Sequence, residues 1–233
     1  MEKKTLKDRE SLHTAIFNCT LCKDHGYFVI RVQPKWDPTK AKSPNEKWGI
    51  IIGQSPGRTE LQRSRKSEKI FAGEKFEEHS GSLPIAFRGD AGCRLFEWLK
   101  EAGFTYNQIC DNFAKTAVTL CYPGKANNGD RKPTKQEIQL CKPFLEQRIN
   151  LVNPSVIIPM GKVAINWFFP RVKKLNEVIG EKKQWNKDGK NYAVVCLPHS
   201  SNVSAWWKLK KNQKCLQDAK SILSEIREKS CPE

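Results

Sequence analysis

Four short apolar runs, separated by helical patterns, constrain the fold of this chain more than any other feature of its sequence. Runs of this length and composition are typical of buried strands. A regular alternation of buried strands and amphipathic helices predicts a parallel sheet covered on both faces. We therefore expect a three-layer α/β/α domain with a central four-stranded parallel sheet. The apolar runs cover residues 48–52, 113–120, 155–160 and 192–197.

The residues that follow the predicted strands are small, polar or chemically reactive. Ligands of open α/β sheets bind outside the carboxyl ends of the strands. We therefore expect the functional residues to meet along one edge of the sheet. The segments that follow the four strands are 53–57, 121–124, Gly161 and 198–201.

The charge of the chain is strongly positive, because 41 Lys and Arg outnumber 25 Asp and Glu and leave a net charge of +16. Such a surplus favours a polyanionic partner, either nucleic acid or an anionic membrane. No apolar run approaches the ~20 residues that a membrane span needs, and residues 1–10 lack the apolar centre of a secretory signal. We expect no membrane association and an intracellular location, in the cytoplasm or nucleoid, with the nucleus left open.

The nine cysteines are an odd number, which argues against a disulfide framework and for reduced or metal-bound thiols. Cys19 and Cys22 form a C-x2-C pair that could bind one metal or one cluster. Cys121 follows the second strand, and Cys141 lies on the next helix, from which it could face back. Four thiolates suit either a [4Fe–4S] cluster or a structural zinc, and the spacing alone does not separate the two.

Six motifs then occur in an order that carries more information than any one of them. Read together, they resemble those of the uracil-DNA glycosylase superfamily, and most closely its iron–sulfur branch, families 4 and 5. The similarity spans roughly residues 19–207, which predicts one domain over 1–233 with a basic loop insertion at about 58–86. The motifs are GQSPGRTE at 53–60, FRGDAG at 87–92, TAVTLC at 116–121 with RKPT at 131–134, CKPFL at 141–145, NPSVIIPMG at 153–161 and LPHSS at 197–201.

The resemblance implies a DNA-repair glycosylase that acts as a monomer on DNA containing uracil or another deaminated base. It would hydrolyse the N-glycosidic bond and leave an abasic site without lyase activity. The resemblance also implies a structural [4Fe–4S] cluster, and so favours iron–sulfur over zinc as the group that the cysteines bind. Its ligands would be Cys19, Cys22, Cys121 and Cys141.

The same resemblance assigns roles at the site. His199 matches the catalytic histidine that stabilises the leaving base, and Phe87 matches the aromatic residue that stacks on it. The turn formed by Gly53, Pro56 and Gly57 would let backbone N–H groups approach base and sugar. Residues assigned to substrate binding besides these are Ala117 and Ser201, and those assigned to DNA contact are Val203, Trp206 and Lys208.

Two departures from the family pattern leave alternatives open. Gln54 and Ser55 stand where families 4 and 1 carry a carboxylate, so we expect them to orient a water rather than act as a base. Ala117 stands where the family has a base-reading Asn, which leaves base preference open. The alternatives are a non-catalytic relative that binds damaged DNA and a zinc-stabilised nucleic-acid-binding α/β protein. Trp206 and Trp207 could instead pack in the core.

Overall fold

The computed structural model describes residues 9–27, 29–31, 49–57, 90–127, 129–202 and 204–230. The predicted insertion at 58–86, the predicted stacking residue Phe87 and the predicted DNA contact Val203 lie outside these ranges.

Within these ranges, the central sheet has five strands in the order β3-β2-β7-β9-β8. Its first four strands are parallel, and β8 pairs with β9 in the antiparallel sense. Two small two-stranded pairs, β1 with β4 and β5 with β6, lie outside it. The strands are β1 (Ile30–Arg31), β2 (Gly49–Gly53), β3 (Phe113–Ala117), β4 (Cys121–Tyr122), β5 (Lys125–Ala126), β6 (Gly129–Asp130), β7 (Val156–Pro159), β8 (Lys182–Lys187) and β9 (Lys190–Val195).

The four predicted strands are confirmed as β2, β3, β7 and β9. Every residue of β2 and of β7 is buried. Since successive side chains of a strand point to opposite faces, the sheet is covered on both faces at these strands. This gives the predicted three-layer arrangement.

The prediction of four strands missed the edge strand β8. Its sequence, KKQWNK, contains a single large apolar residue, Trp185, and its residues alternate between exposed and half-buried. It therefore lacks the apolar run that marked the other strands. A turn signal was nevertheless present, because Asp188 and Gly189 both adopt positive φ between β8 and β9, as a two-residue hairpin turn requires.

Helices flank the sheet, and a capping box defines the start of one of them. Thr134 caps a helix through a capping box, in which its hydroxyl accepts from the Glu137 amide and the Glu137 carboxylate accepts from the Thr134 amide. The α-helices are α1 (Arg9–Phe17), α2 (Leu21–Asp24), α3 (Asp90–Glu101), α4 (Tyr106–Asp111), α5 (Lys135–Val152), α6 (Gly161–Phe168) and α7 (Lys210–Ser230), with 3₁₀ turns at Leu175–Glu177 and Trp206–Lys208. None of the helices described here is long and apolar enough to cross a membrane.

The strand order creates one topological switch point. From β2 the chain first adds β3 on one side and then β7 on the other. The loops that leave the carboxyl ends of β2 and β7 therefore diverge and open a crevice, which is where open α/β sheets bind their ligands. The chain after β9 is tied to the same edge, because the Gly161 amide donates to the Leu197 carbonyl at 2.9 Å.

Candidate active site

The loops after β2 and β3 are joined by backbone hydrogen bonds at the predicted edge. The Val118 amide donates to the Gly53 carbonyl at 2.9 Å, and the Thr119 amide donates to the Gln54 carbonyl at 3.2 Å. Ala117 lies opposite Gly53 in the register of the two strands. The prediction that these two segments meet is therefore confirmed.

His199 reaches this edge by packing against Gly161, the first residue of α6. A Cβ at position 161 would lie 2.9 Å from the His199 Cβ and 3.1 Å from its Cδ2. Gly161 also adopts a φ of +76°, which L side chains rarely adopt. Only glycine satisfies both conditions, so residue 161 forms part of the surface against which the imidazole packs.

The hydrogen bond that His199 receives defines its tautomer. The Ser201 amide donates to His199 Nδ1 at 3.1 Å, so we assign the ring proton to Nε2. Burial lowers the pKa of His199, and the charge of Lys132 lowers it further. The positive end of α6 at Gly161 acts in the same direction. At neutral pH His199 is therefore an uncharged imidazole with an N–H donor at Nε2.

Lys132 acts on His199 through its charge, and no sequence motif pointed to it. It lies between Cys121 and Cys141 in sequence and is exposed. The neighbouring Arg131 fixes the backbone here, because its guanidinium donates to both Glu137 carboxylate oxygens at 2.8 and 2.7 Å and to the Pro123 carbonyl at 2.9 Å. The sequence signal here was Arg131, three residues before the helix cap Thr134. An arginine at that position does not by itself indicate which residue its loop will approach.

The residues predicted to orient water lie at the carboxyl end of β2, and within the described part of the chain no contact of their side chains defines a role. Gln54 and Ser55 are half-buried directly after β2, and Pro56 and Gly57 continue the same turn. Their position at the switch point agrees with the prediction. Their chemical roles stay predictions.

Two of the predicted DNA contacts, Trp206 and Lys208, are hydrogen-bonded to other segments of the protein. The Trp206 indole donates to the Asn176 Oδ1 at 3.1 Å, and its ring packs against the core. Lys208 is exposed, and its Nζ donates to the Asn202 carbonyl at 3.0 Å. These contacts support the alternative in which the tryptophans pack against the domain, and they leave the ammonium of Lys208 on the surface.

The four cysteines singled out from the sequence line one pocket. Helices α1 and α2, the loop after β3 and helix α5 each contribute to its wall. Within it, Cys22 and Cys141 are hydrogen-bonded to each other, and burial raises the pKa of Cys22 and raises that of Cys141 to about 12. Residues that line the pocket include Cys19, Cys22, Cys121, Cys141, Ile16, Val29, Leu120, Leu140 and Phe144.

The four cysteine side chains thus lie around one pocket, but they are not arranged as the ligands of a metal ion. Within the described ranges, no group of three or more His, Cys, Asp or Glu side chains is arranged so that it could hold a metal ion. The remaining wall of the pocket is largely apolar. An apolar setting with four thiols is chemically suited to a cluster whose irons each take one thiolate.

Comparisons with known proteins identify the family. The sequence model of the uracil DNA glycosylase superfamily matches residues 43–223. A type-4 uracil-DNA glycosylase of Pyrobaculum aerophilum is 28% identical over 204 residues, which cover 84% of each chain. That of Sulfurisphaera tokodaii is 28% identical over 139 residues, 58% of this chain and 60% of the relative. That of Thermotoga maritima is 33% identical over 119 residues, 50% of this chain and 57% of the relative.

The chain therefore spans most of one of these relatives and little more than half of the other two. The family match covers the strands of the central sheet, the His199 loop and most of α7, so it includes the edge at which the site residues meet. From this match, we conclude that the chain belongs to the uracil-DNA glycosylase superfamily.

Proposed function

We propose that this chain is a monomeric, monofunctional DNA glycosylase, acting in the cytoplasm or nucleoid, that removes uracil or a related deaminated base from DNA. The observation that carries the proposal is the state of His199: an uncharged imidazole at the switch point, with Nδ1 occupied by the Ser201 amide. The names of the type-4 relatives and the net charge of +16 support a DNA substrate.

The reaction requires a base that has left the duplex stack, because its glycosidic bond is shielded inside the helix. Once the base is in the crevice, the Nε2–H of His199 donates to O2 of the departing pyrimidine. As the bond to the sugar lengthens, negative charge develops on that oxygen, and a fixed donor stabilises it. A neutral imidazole keeps its proton at Nε2 throughout, so the base leaves as an anion.

The sugar that remains has oxocarbenium character and accepts a weak nucleophile. Gln54 and Ser55 have no carboxylate, so their role is to orient a water by hydrogen bonding. The Gly53–Gly57 turn offers backbone N–H groups to base and sugar, and Ala117 and Ser201 complete the walls of the crevice. Phe87 would stack on the base, while Val203, Trp206 and Lys208 would contact the DNA.

The thiol pocket fits a [4Fe–4S] cluster by its donor set, with Cys19, Cys22, Cys121 and Cys141 as ligands. When bound, the cluster would supply a cross-link among the N-terminal helices, the loop after β3 and helix α5. Hydrolysis moves no electron, so the residues of the crevice do not depend on its redox state. Iron and sulfide analysis of the purified protein tests this assignment, and one zinc without iron would contradict it.

An oligonucleotide panel tests the function. Duplexes and single strands carrying uracil, hypoxanthine, xanthine or a mismatched thymine are incubated with the protein and then treated with alkali. We expect alkali-labile sites in uracil DNA. Their absence from every member of the panel would contradict the proposal.

The absence of a carboxylate at Gln54 and Ser55 favours a second candidate, a non-catalytic relative that binds damaged DNA. The same panel separates the two functions. Tight and selective binding of uracil DNA without alkali-labile sites would select the binding protein.

A further inference from the structure

Three successive backbone carbonyls that follow His199 each accept a hydrogen bond from a side chain elsewhere in the fold. One donor lies on helix α3, and the other two lie on the 3₁₀ turn before α7. The loop is therefore held at every residue from 200 to 202. The three bonds are Arg94 Nη1 to the Ser200 carbonyl at 2.8 Å, Trp207 Nε1 to the Ser201 carbonyl at 3.3 Å and Lys208 Nζ to the Asn202 carbonyl at 3.0 Å.

Arg94 and Lys208 both lie against the Trp207 ring, and we call the three donors the tryptophan clamp (Arg94, Trp207 and Lys208). The Arg94 guanidinium carbon lies 4.2 Å from the centre of the Trp207 ring, and the Lys208 Nζ lies 5.4 Å from it. Trp98 packs edge-on against the same ring, with the two ring centres 6.2 Å apart. Cations against an indole face and a buried aromatic neighbour fix the ring in place.

A peptide plane links this clamp to the imidazole. The carbonyl of Ser200 and the amide of Ser201 belong to the same rigid peptide unit. Arg94 binds the carbonyl end of that unit, and the amide end donates to His199 Nδ1 at 3.1 Å. Because the unit is planar, fixing its carbonyl also fixes the direction of its N–H toward the imidazole.

A second attachment prevents the peptide from rotating. Ser200 is completely buried, and its hydroxyl donates to the Ala91 carbonyl at the start of α3 at 2.6 Å. Helix α3 therefore holds Ser200 by both its side chain and its backbone. Removing the Arg94 bond would leave a buried carbonyl without its charged donor, which costs more than the bond itself contributes.

We propose that Arg94, supported by Trp207, is a positioning residue for His199 that holds the Ser200–Ser201 peptide and so keeps the ring proton on Nε2. The proposal rests on the role of His199 proposed above and adds what keeps that residue in its reactive state. Neither Arg94 nor Trp207 contacts the base in this account. Their effect on the reaction passes through one peptide bond.

Two variants test the clamp. Arg94→Met keeps a side chain of similar length that can lie on the indole but donates no hydrogen bond. Trp207→Phe keeps an aromatic ring beside Arg94 but removes the N–H that binds Ser201. Matched controls are Lys100→Met, which removes a charge from the exposed face of the same helix, and Trp185→Phe, which makes the same aromatic change on the edge strand β8.

The assay separates positioning from binding. The single-turnover rate of uracil release, the Kd for uracil DNA and the tautomer of His199, from its ring ¹⁵N shifts, are measured for each variant. We expect a rate loss of about 10- to 100-fold in both clamp variants, since small misplacements of a catalytic group have effects of this size. Kd should change by less than about threefold, and the ¹⁵N shifts should report a mixture of tautomers. Both controls should retain the parent rate and tautomer.

Parent-like rates in both clamp variants, or rate losses no larger than the losses of DNA affinity, would overturn the proposal. If Arg94→Met fails to fold, Trp207→Phe still decides the question. The tautomer measurement needs no substrate, so it tests the clamp even if the parent releases no uracil. A failure of the proposed function and a failure of the clamp therefore give different results.

Discussion

Replacing Gly161 with alanine tests whether the imidazole of His199 lies where the site requires it. The new Cβ would lie 2.9 Å from His199 Cβ and 3.1 Å from Cδ2. Ordinary contacts between such carbons are about 3.5–4.0 Å, so the imidazole must move away by about half an ångström or more. A shift of that order at a catalytic group is expected to slow uracil release by about 10- to 100-fold.

The substitution also has a backbone cost, which must be separated from the effect on His199. Alanine at a φ of +76° costs about 1–2 kcal/mol, which lowers the Tm by roughly 2–8 °C in a domain of this size. Gly189→Ala is the matched control. Gly189 has a φ of +77°, and a Cβ there would meet nothing within 4 Å. It should lose a similar amount of stability and keep the parent rate.

The assays are single-turnover uracil release and thermal unfolding, performed on both variants at one temperature well below either Tm. We expect similar losses of Tm in the two variants and a rate loss in Gly161→Ala alone. Release of uracil by Gly161→Ala at the parent rate, or an equal loss of activity in Gly189→Ala, would refute the claim that packing against Gly161 positions the imidazole of His199.

Three further predictions concern protonation, the thiol pocket and the loop that joins it to the site. Burial and then Lys132 lower the pKa of His199, so the imidazole should stay neutral, and the rate constant, as the pH falls past the ordinary histidine pKa of about 6.5. The rate should fall only when the pH drops through the lowered pKa of His199. Lys132→Gln should raise that pKa and so move the fall to higher pH in a pH–rate profile. Cys141→Ser should remove bound iron and visible absorbance, whereas Cys215→Ser, outside the pocket, should retain both by iron analysis and spectroscopy. Arg131→Met should lower the unfolding free energy by about 1–3 kcal/mol in urea, because Glu137 is only 2% exposed and loses its bidentate partner; an unchanged midpoint would contradict this.

The sequence was informative wherever a local pattern has one structural solution. Four apolar runs became four parallel strands, and the Thr-x-x-Glu pattern at 134–137 forms a capping box at the start of α5. The convergence of the strand ends also followed, because parallel strands necessarily place their carboxyl ends at one edge. Cys121 and Cys141 meet for a related reason, since Cys121 leaves that edge and Cys141 lies on the next helix.

The features that the sequence did not reveal depend on contacts between distant segments. Arg94 and Ser200 are 106 residues apart, and nothing in the sequence around either residue specifies the other. The antiparallel strand β8 was missed because an edge strand needs little apolar surface and Lys-rich edges are common. Lys132, whose charge acts on His199, lies beside Arg131, which is bound to Glu137 on α5, and none of these long-range contacts is written in the local sequence.

The most direct test of the account is the single-turnover rate of uracil release from DNA by the parent protein and by His199→Ala, measured together with the affinity of each for the same oligonucleotide. We expect the parent to leave alkali-labile sites, and His199→Ala to bind uracil DNA with nearly the parent affinity but to release uracil at least about 100-fold more slowly. Equal rates of release by the two proteins would contradict the central claim that the neutral imidazole of His199 stabilises the departing base.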